Sequence, residues 1–169
     1  MIIRQETPAD YDAVYDMVKM SFATASFSDG TEADYLNGIR KKDTFIPELS
    51  LLAIDDDAIL AQIVLYQTTI HSDDNDLTEL VLSPLSVHPE FFNRRIATAL
   101  VDAALTKAKE MGYNAVFLCG DPVFYQKLGF KATYHYGIHH IKDDKAEWCM
   151  VRELTVGFLD GVSGKIDIE

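Results

Sequence analysis

The segment from Leu77 to Cys119 constrains the fold more than any other part of the chain. Leu77 to Val87 has a strand-like pattern, and a helical repeat of apolar residues follows it up to Met111. The next run, Ala115 to Cys119, is entirely apolar and short enough for a buried parallel strand. A strand, a helix and a second strand are therefore predicted over this segment.

The rest of the chain supplies further strands and helices. Before this segment we expect a strand over Ile2–Gln5, a helix capped by Thr7 with an apolar face of Val14, Met17, Val18 and Phe22, and a short helix from Glu32 to Arg40 that Thr31 can cap. A hairpin of Leu51–Ile54 and Ala58–Thr69 around Asp55–Asp57 follows. After the segment we expect a helix from Pro122 to Leu128 capped by Asp121, and strand-like pieces near Lys131–Tyr136 and Ala146–Glu153. No linker or repeat divides the chain. A single α+β domain over residues 1–169 with a mixed sheet is predicted.

Composition excludes several classes of protein. A formal net charge of -12 argues against a wide nucleic-acid surface, which needs clustered lysine and arginine. No run resembles a signal peptide or reaches the about 18 apolar residues of a membrane span, so we expect a cytoplasmic protein without a membrane partner. Cys119 and Cys149 lie in apolar segments and are interpreted as buried reduced thiols. His139 and His140 are adjacent and should point to opposite faces of an extended segment, so no metal site is predicted.

Two arginines stand where a helix is expected to begin. Arg94 and Arg95 follow a strand and a loop, and Ile96 starts the helical repeat. A cation in the first turn of a helix is unfavourable by about 0.3 to 1 kcal/mol unless an anion lies nearby. Either the two side chains pair with acids such as Glu90 or remain solvated, or this helix start binds an anionic ligand.

Two motifs carry a resemblance to a known family. The stretch Leu82-Ser-Pro-Leu-Ser-Val-His-Pro-Glu-Phe-Phe-Asn-Arg-Arg-Ile-Ala-Thr-Ala-Leu-Val101 resembles the strand, loop and helix of the GNAT N-acetyltransferases, where the pattern is L-x-P-L-x-V-x-P-x-x-Q/R-x-x-G-x-G/A. The stretch Gly120-Asp-Pro-Val-Phe-Tyr-Gln-Lys-Leu-Gly-Phe130 resembles G-D-P-x-[FY]-Y-x-x-[FL]-G-F of the same family. The ending, Leu159 to Lys165, is similar to that of the YhbS-like branch.

The resemblance implies a fold and a cofactor. The fold would be a three-layer α/β/α arrangement with a mixed, mostly antiparallel sheet, splayed between its fourth and fifth main strands. Acetyl-CoA would serve as co-substrate, without a metal. Its pantetheine arm would meet Leu85 and Val87, and its phosphates would meet Arg94, Arg95, Ile96, Ala97 and Thr98.

The sequence departs from the family pattern in the phosphate loop. Phe92 replaces the usual glutamine or arginine, and Arg95 replaces the first glycine. Either Arg95 keeps a negative φ and turns its guanidinium onto the phosphates, or its bulk closes the site. The alternative to an active enzyme is accordingly a catalytically impaired CoA-binding module of the same fold.

The resemblance also implies catalytic residues. Tyr125 would stand near the cofactor sulfur, and a phenol with a pKa near 10 can donate a proton to the departing thiolate. An amine would attack the thioester directly, and a backbone N–H near Val87 would polarise the carbonyl. Glu79 is the candidate base, and His88 is a further one. The predicted function is acetylation of a primary amine, on a small molecule or an amino terminus, and the exposed sheet edges are compatible with a homodimer.

Overall fold

The computed structural model describes residues 1–169, which form four α-helices and nine β-strands. The helices are α1 (Tyr11–Phe22), α2 (Glu32–Ile39), α3 (Ile96–Glu110) and α4 (Pro122–Gln126). The strands are β1 (Ile2–Gln5), β2 (Phe45–Asp55), β3 (Ala58–Ser72), β4 (Leu77–Val87), β5 (Ala115–Cys119), β6 (Lys131–Ala132), β7 (Ile138–His140), β8 (Cys149–Glu153) and β9 (Gly164–Ile166). None of the helices is both long and apolar enough to cross a membrane.

The strands form a mixed sheet. Its order is β1-β2-β3-β4-β5-β8-β6, and β9 pairs with β3 and β7. Strands β4 and β5 are parallel, as are β7 and β9, whereas the pairs β1–β2, β2–β3, β3–β9, β5–β8 and β6–β8 are antiparallel. The mixed, mostly antiparallel sheet with its helices confirms the predicted fold class. The register of β4 with β5 joins Leu80 to Val116 and Val81 to Phe117 and ends there, although β4 continues to Val87.

The chain divides into two compact units. The first contains Met1–Tyr66 and Ser83–Lys107, and the second contains Gln67–Leu82 and Ala108–Glu169. In the first unit α1 and α2 pack on β2 and β3, and the cluster includes buried Val14, Met17, Val18, Leu36, Ile39, Leu52 and Val64. Val14, Met17 and Val18 of α1 are buried at helical spacing and Phe22 packs against the same cluster, so the predicted apolar face of α1 is confirmed. The single domain over residues 1–169 remains a prediction.

A buried ion pair fixes the two helices of the first unit. The side chains of Arg40 and Glu6 are only 4% and 2% exposed. Ser50 donates a hydrogen bond to Glu6 Oε2 at 2.7 Å, and the Arg40 guanidinium lies 4.0 Å from the centre of the Tyr11 ring. Because breaking a buried ion pair would leave an uncompensated buried charge, these contacts hold the end of α2 against the start of α1.

Most local predictions agree with the structure. The turn between β2 and β3 places Asp56 and Asp57 at φ 45° and 64°, the left-handed conformation that short hairpin turns need. Asp121 accepts a hydrogen bond from the Val123 N–H at 3.0 Å and so caps α4 as expected. Thr7 and Asp10 form the predicted cap at the start of the first helical segment.

Three local features differ from the predictions. Thr31 occupies the N-cap position of α2, but its side chain makes no capping hydrogen bond, because its hydroxyl donates instead to Asp29 Oδ1 at 2.5 Å. Residues Thr133–Tyr136 form a helical turn rather than a strand, since Gly137 at φ 80° closes the turn with a hydrogen bond to the Tyr134 carbonyl. Strands β7 and β9 were not expected. Each has only three residues, and their pairing joins segments that are distant along the chain.

Candidate functional site

The end of β4 is held in place by a buried amide on β3. Gln62, which is 1% exposed, donates from Nε2 to the Pro84 carbonyl at 3.2 Å and to Ser86 Oγ at 3.0 Å. Leu85 and Val87 alternate with these residues and remain half-buried. The end of β4 is therefore fixed in position and presents Leu85 and Val87 on one face of the strand.

The loop after β4 has an irregular backbone that continues directly into α3. The His88 N–H donates to the Leu60 carbonyl at 2.7 Å, and its Nδ1 accepts from the Glu90 N–H at 3.2 Å. Asn93 and Arg95 both adopt positive φ, at 63° and 59°. A non-glycine residue in this region costs about 1 to 2 kcal/mol.

The conformation of Arg95 contradicts the negative φ expected for that position. A negative φ was expected for a functional loop, and closure of the site by the side chain was the alternative. Arg95 instead takes the left-handed backbone that the family's glycine position allows, while its side chain is exposed. The path of the loop is thus compatible with glycine even though glycine is absent.

The start of α3 has free donors and uncompensated positive charge. The Ala99 N–H donates to the Arg95 carbonyl at 3.1 Å, so the N–H groups of Ile96, Ala97 and Thr98 precede this helical bond. The first turn contains no acidic residue. No carboxylate forms an ion pair with Arg94 or Arg95, and the Arg94 guanidinium lies 5.3 Å from the centre of the Phe91 ring. Pairing with Glu90 is therefore not observed, and the donor set fits a phosphate group.

Tyr125 lies on α4 in the second unit. Its ring packs edge-on against Phe130 with centres 5.7 Å apart, and a methyl group added to Gly120 would lie 2.5 Å from Tyr125 Cε2. Burial, with a smaller contribution from Asp121, raises the pKa of Tyr125 to about 12. Because no protein group hydrogen-bonds the hydroxyl, this protonated phenol is free to donate to a ligand.

Glu79 is a buried carboxylate that supports the start of β5. Its Oε2 accepts from the N–H groups of Asn114 and Ala115 at 2.9 and 3.2 Å, and Oε1 accepts from Asn114 Nδ2 at 3.3 Å. Ala115 begins β5, whereas α4 follows its other end, which is about 13 Å away at strand spacing. The prediction that Glu79 is the general base is not supported, since its carboxylate is occupied and distant from Tyr125.

The structure brings only some of the predicted residues together. Leu85, Val87 and the loop residues Arg94 to Thr98 lie along one continuous strand, loop and helix of the first unit. Tyr125 and Glu79 both belong to the second unit and stand at opposite ends of β5. No group of three or more His, Cys, Asp or Glu side chains is arranged to hold a metal ion.

Two supporting residues were not predicted from the sequence. Gln62 is a polar residue inside the apolar run Leu60–Leu65, and that exception is the signal that could have identified it. Gly120 was interpreted only as a turn residue. Gly120 also leaves space for the ring of Tyr125, and no local sequence pattern predicts that contact.

Comparison with known proteins gives a consistent result. Residues 2–133 match the family described as Acetyltransferase (GNAT) domain. The curated protein YjhQ of Escherichia coli K12, named an uncharacterized N-acetyltransferase, is 26% identical over 108 residues, which are 64% of this chain. The match spans 60% of the length of YjhQ.

Solved structures share the fold over nearly the whole chain. The GNAT family N-acetyltransferase YhbS from Escherichia coli, crystallised with CoA, superposes with a TM-score of 0.82 at 26% identity, covering 99% of this chain and 89% of YhbS. A GNAT family acetyltransferase from Brucella melitensis, crystallised with acetyl-CoA, gives a TM-score of 0.77 at 20% identity. The superposition covers 99% of this chain and 95% of the Brucella chain.

We expect Arg95→Gly to raise the free energy of unfolding by about 1 kcal/mol, because glycine removes the left-handed strain. Arg94→Gly removes the same charge at the neighbouring position, where φ is not positive, and should lower stability by about 0.5 to 1 kcal/mol. Urea denaturation of both variants measures the difference. Equal changes in the two proteins would contradict the strained conformation of Arg95.

We expect Glu79→Gln to lower the free energy of unfolding by about 1 to 3 kcal/mol, because charge-assisted hydrogen bonds to Asn114 and Ala115 are weakened. Exposed Glu110→Gln serves as the control. The pH dependence of kcat should keep its shape in Glu79→Gln. A stable variant that loses the acidic limb of the profile would restore Glu79 as a base.

Proposed function

Because the chain belongs to the GNAT family of acetyltransferases, we propose that it transfers the acetyl group of acetyl-CoA to a primary amine. The observation that carries this proposal is the helix start of α3. There, free N–H groups and two unpaired arginines follow a loop in which Arg95 adopts the backbone of a glycine. That arrangement suits a pyrophosphate.

The first unit would hold the cofactor. The N–H groups of Ile96, Ala97 and Thr98 would donate to the phosphates, and the guanidinium groups of Arg94 and Arg95 would add charge-assisted hydrogen bonds. Leu85 and Val87 would contact the pantetheine arm. The CoA and acetyl-CoA present in the two related crystal structures support this assignment.

The second unit would supply the proton. Bound acetyl-CoA provides an activated acetyl thioester, and the amine attacks it as the C–S bond breaks. Tyr125 keeps its proton at neutral pH because its pKa is raised to about 12, so the phenol can protonate the thiolate that leaves. The end of the β4–β5 pairing at Val81 supports a free N–H farther along β4 that polarises the carbonyl. The proton lost by the amine would leave through solvent.

The acceptor is proposed to enter beside α2. A cleft of about 280 Å³ lies between the end of α1 and the start of α2, and Lys19, Phe22, Ser28 and Glu32 are among its lining residues. It overlaps Ser21–Lys42, which the family resemblance assigns to the acceptor pocket together with Thr133–Lys145. The buried pair of Arg40 with Glu6 keeps the far end of this segment rigid. A small amine or an amino terminus suits a cleft of this size.

A CoA-binding module without turnover is the second candidate function, because Phe92 and Arg95 depart from the family pattern. Both candidates bind acetyl-CoA. Release of free CoA thiol across a panel of amines separates them, and turnover with any amine would exclude the impaired module.

We expect acetyl-CoA to bind the intact protein, and we expect Arg94→Ala and Arg95→Ala each to weaken binding by about 3-fold to 10-fold, as the loss of a charge-assisted hydrogen bond predicts. Isothermal titration calorimetry measures the affinity. Lys107→Ala, near the other end of α3, is the matched control and should bind normally. No detectable affinity of the intact protein at millimolar acetyl-CoA would contradict the proposed function.

We expect Tyr125→Phe to lower kcat by well over tenfold while the affinity for acetyl-CoA stays within about twofold, because only the proton donor is removed. Tyr113→Phe makes the same change at the far end of β5 and should leave kcat unchanged. Since the pKa of Tyr125 is raised to about 12, kcat of the unmodified enzyme should not fall near pH 10. A fully active Tyr125→Phe variant would remove Tyr125 from the mechanism.

A further inference from the structure

The only two cysteines of the chain lie directly opposite each other on neighbouring strands. Cys119 ends β5 and Cys149 begins β8, and the antiparallel register of these strands pairs the two residues. Both thiols are free. Residues directly opposite in an antiparallel pair point to the same face, so the two sulfur atoms are neighbours.

The hydrogen-bond pattern shows which kind of pair this is. The Gly120 N–H donates to the Trp148 carbonyl at 2.9 Å, and the Leu154 N–H donates to the Asn114 carbonyl at 2.7 Å. These residues are hydrogen-bonded pairs of the ladder, and such pairs alternate with pairs that lack hydrogen bonds. Cys119 and Cys149 therefore form a pair without hydrogen bonds, in which Cα atoms are about 4.5 Å apart.

That spacing is within reach of a disulfide. Disulfide-linked residues have Cα separations of about 4.4 to 6.8 Å and Cβ separations of about 3.5 to 4.5 Å. Opposite residues in a sheet have Cβ atoms about 4.5 to 5.5 Å apart, with the shorter values in pairs that lack hydrogen bonds. A bond between the two sulfurs thus requires the two Cβ atoms to approach by less than about 1 Å.

The surroundings distinguish the two thiols. Cys149 is fully buried and accepts a hydrogen bond from Thr133 Oγ1 at 3.5 Å, whereas Cys119 is half-buried and donates to the Ile168 carbonyl at 3.5 Å. Interaction between the two thiols lowers the pKa of Cys149, with a further contribution from Thr133, and raises the pKa of Cys119. Cys119 is the more exposed residue, and Cys149 is favoured as the thiolate.

We propose that Cys119 and Cys149 form a site of oxidative modification, at which a peroxide converts the facing thiols into a cross-strand disulfide. One sulfur takes an oxygen atom from the peroxide and becomes a sulfenic acid, with release of water or an alcohol. The second sulfur attacks it, the S–S bond forms, and the oxygen leaves as water. Two thiols are oxidised and one peroxide is reduced, and a dithiol reductant reverses the change.

The disulfide has a mechanical consequence for α4. Gly120 follows Cys119, and its backbone is the surface on which the Tyr125 ring rests. Bringing the two Cβ atoms together tilts the backbone at Cys119 and shifts Gly120, and close packing transmits the shift to Tyr125. This consequence rests on the proposed function, since it makes oxidation lower the rate of acetyl transfer. Formation of the disulfide itself does not depend on that function.

The test treats the full-length protein with hydrogen peroxide, alkylates the remaining thiols and measures the intact mass, followed by peptide mapping. We expect complete loss of both alkylatable thiols, a mass lower by two hydrogen atoms, a linked peptide pair containing Cys119 and Cys149, and recovery with dithiothreitol. Cys119→Ser and Cys149→Ala each retain one cysteine and cannot form the internal bond. Two alkylated thiols after oxidation, a disulfide-linked dimer, or sulfinic acid at Cys119 alone would overturn the proposal.

The activity measurement separates the site from its consequence. We expect the oxidised protein to lose about tenfold in kcat, as small misplacements of a catalytic group do, and Cys149→Ala to be insensitive to the same treatment. An unchanged kcat with a fully formed disulfide would overturn the coupling to Tyr125. A protein with no transferase activity would fail the proposed function, while the thiol count would still decide whether the disulfide forms.

Discussion

The parallel pairing of β4 with β5 spans only two residue pairs, and the carboxylate of Glu79 secures the place where β5 begins. Parallel pairs need a long crossover, which α3 provides here, and nothing local brings the two strands into register. A single buried carboxylate that accepts N–H donors from Asn114 and Ala115 fixes that register from inside the second unit. Both candidate functional segments follow these two strands along the chain.

The two segments depend on their strands in different ways. The loop proposed to bind phosphate begins at the end of β4, which Gln62 holds through Pro84 and Ser86. Helix α4 takes its position from the end of β5, where Gly120 allows the Tyr125 ring to approach the backbone. In both cases a residue with no proposed binding or catalytic role, Gln62 or Gly120, sets the position of residues that have such a role.

Arg95 adopts the left-handed backbone that suits a glycine, in the loop proposed to bind phosphate. The strained backbone costs about 1 to 2 kcal/mol, and strain of this size persists only where the surrounding structure enforces it. The fixed end of β4 and the start of α3 supply that enforcement. In return, the side chain adds a positive charge at a helix start, which is favourable only with an anion nearby. The feature that seemed to threaten ligand binding is therefore consistent with it.

The sequence by itself determined the elements whose signals are local. The capped helix α4, the hairpin of β2 with β3, the long helix α3 and the apolar strand β5 all follow from turn residues, caps and periodicity. The family motifs located Arg94, Arg95 and Tyr125. These features were predictable because the residues that specify them lie within a few positions of one another.

Tertiary structure alone decided the features that join distant residues. The hydrogen-bond partners of Glu79 could not be predicted, because they lie 35 and 36 positions away. The turn at Thr133–Tyr136, the short strands β7 and β9, and the meeting of Cys119 with Cys149 likewise depend on pairing across the fold. Even the φ of Arg95 belongs to this group, since propensity disfavours it and only the fixed strand and helix on either side impose it. Local sequence signals determine the helices and strands, whereas long-range packing and hydrogen bonding determine the contacts of each side chain.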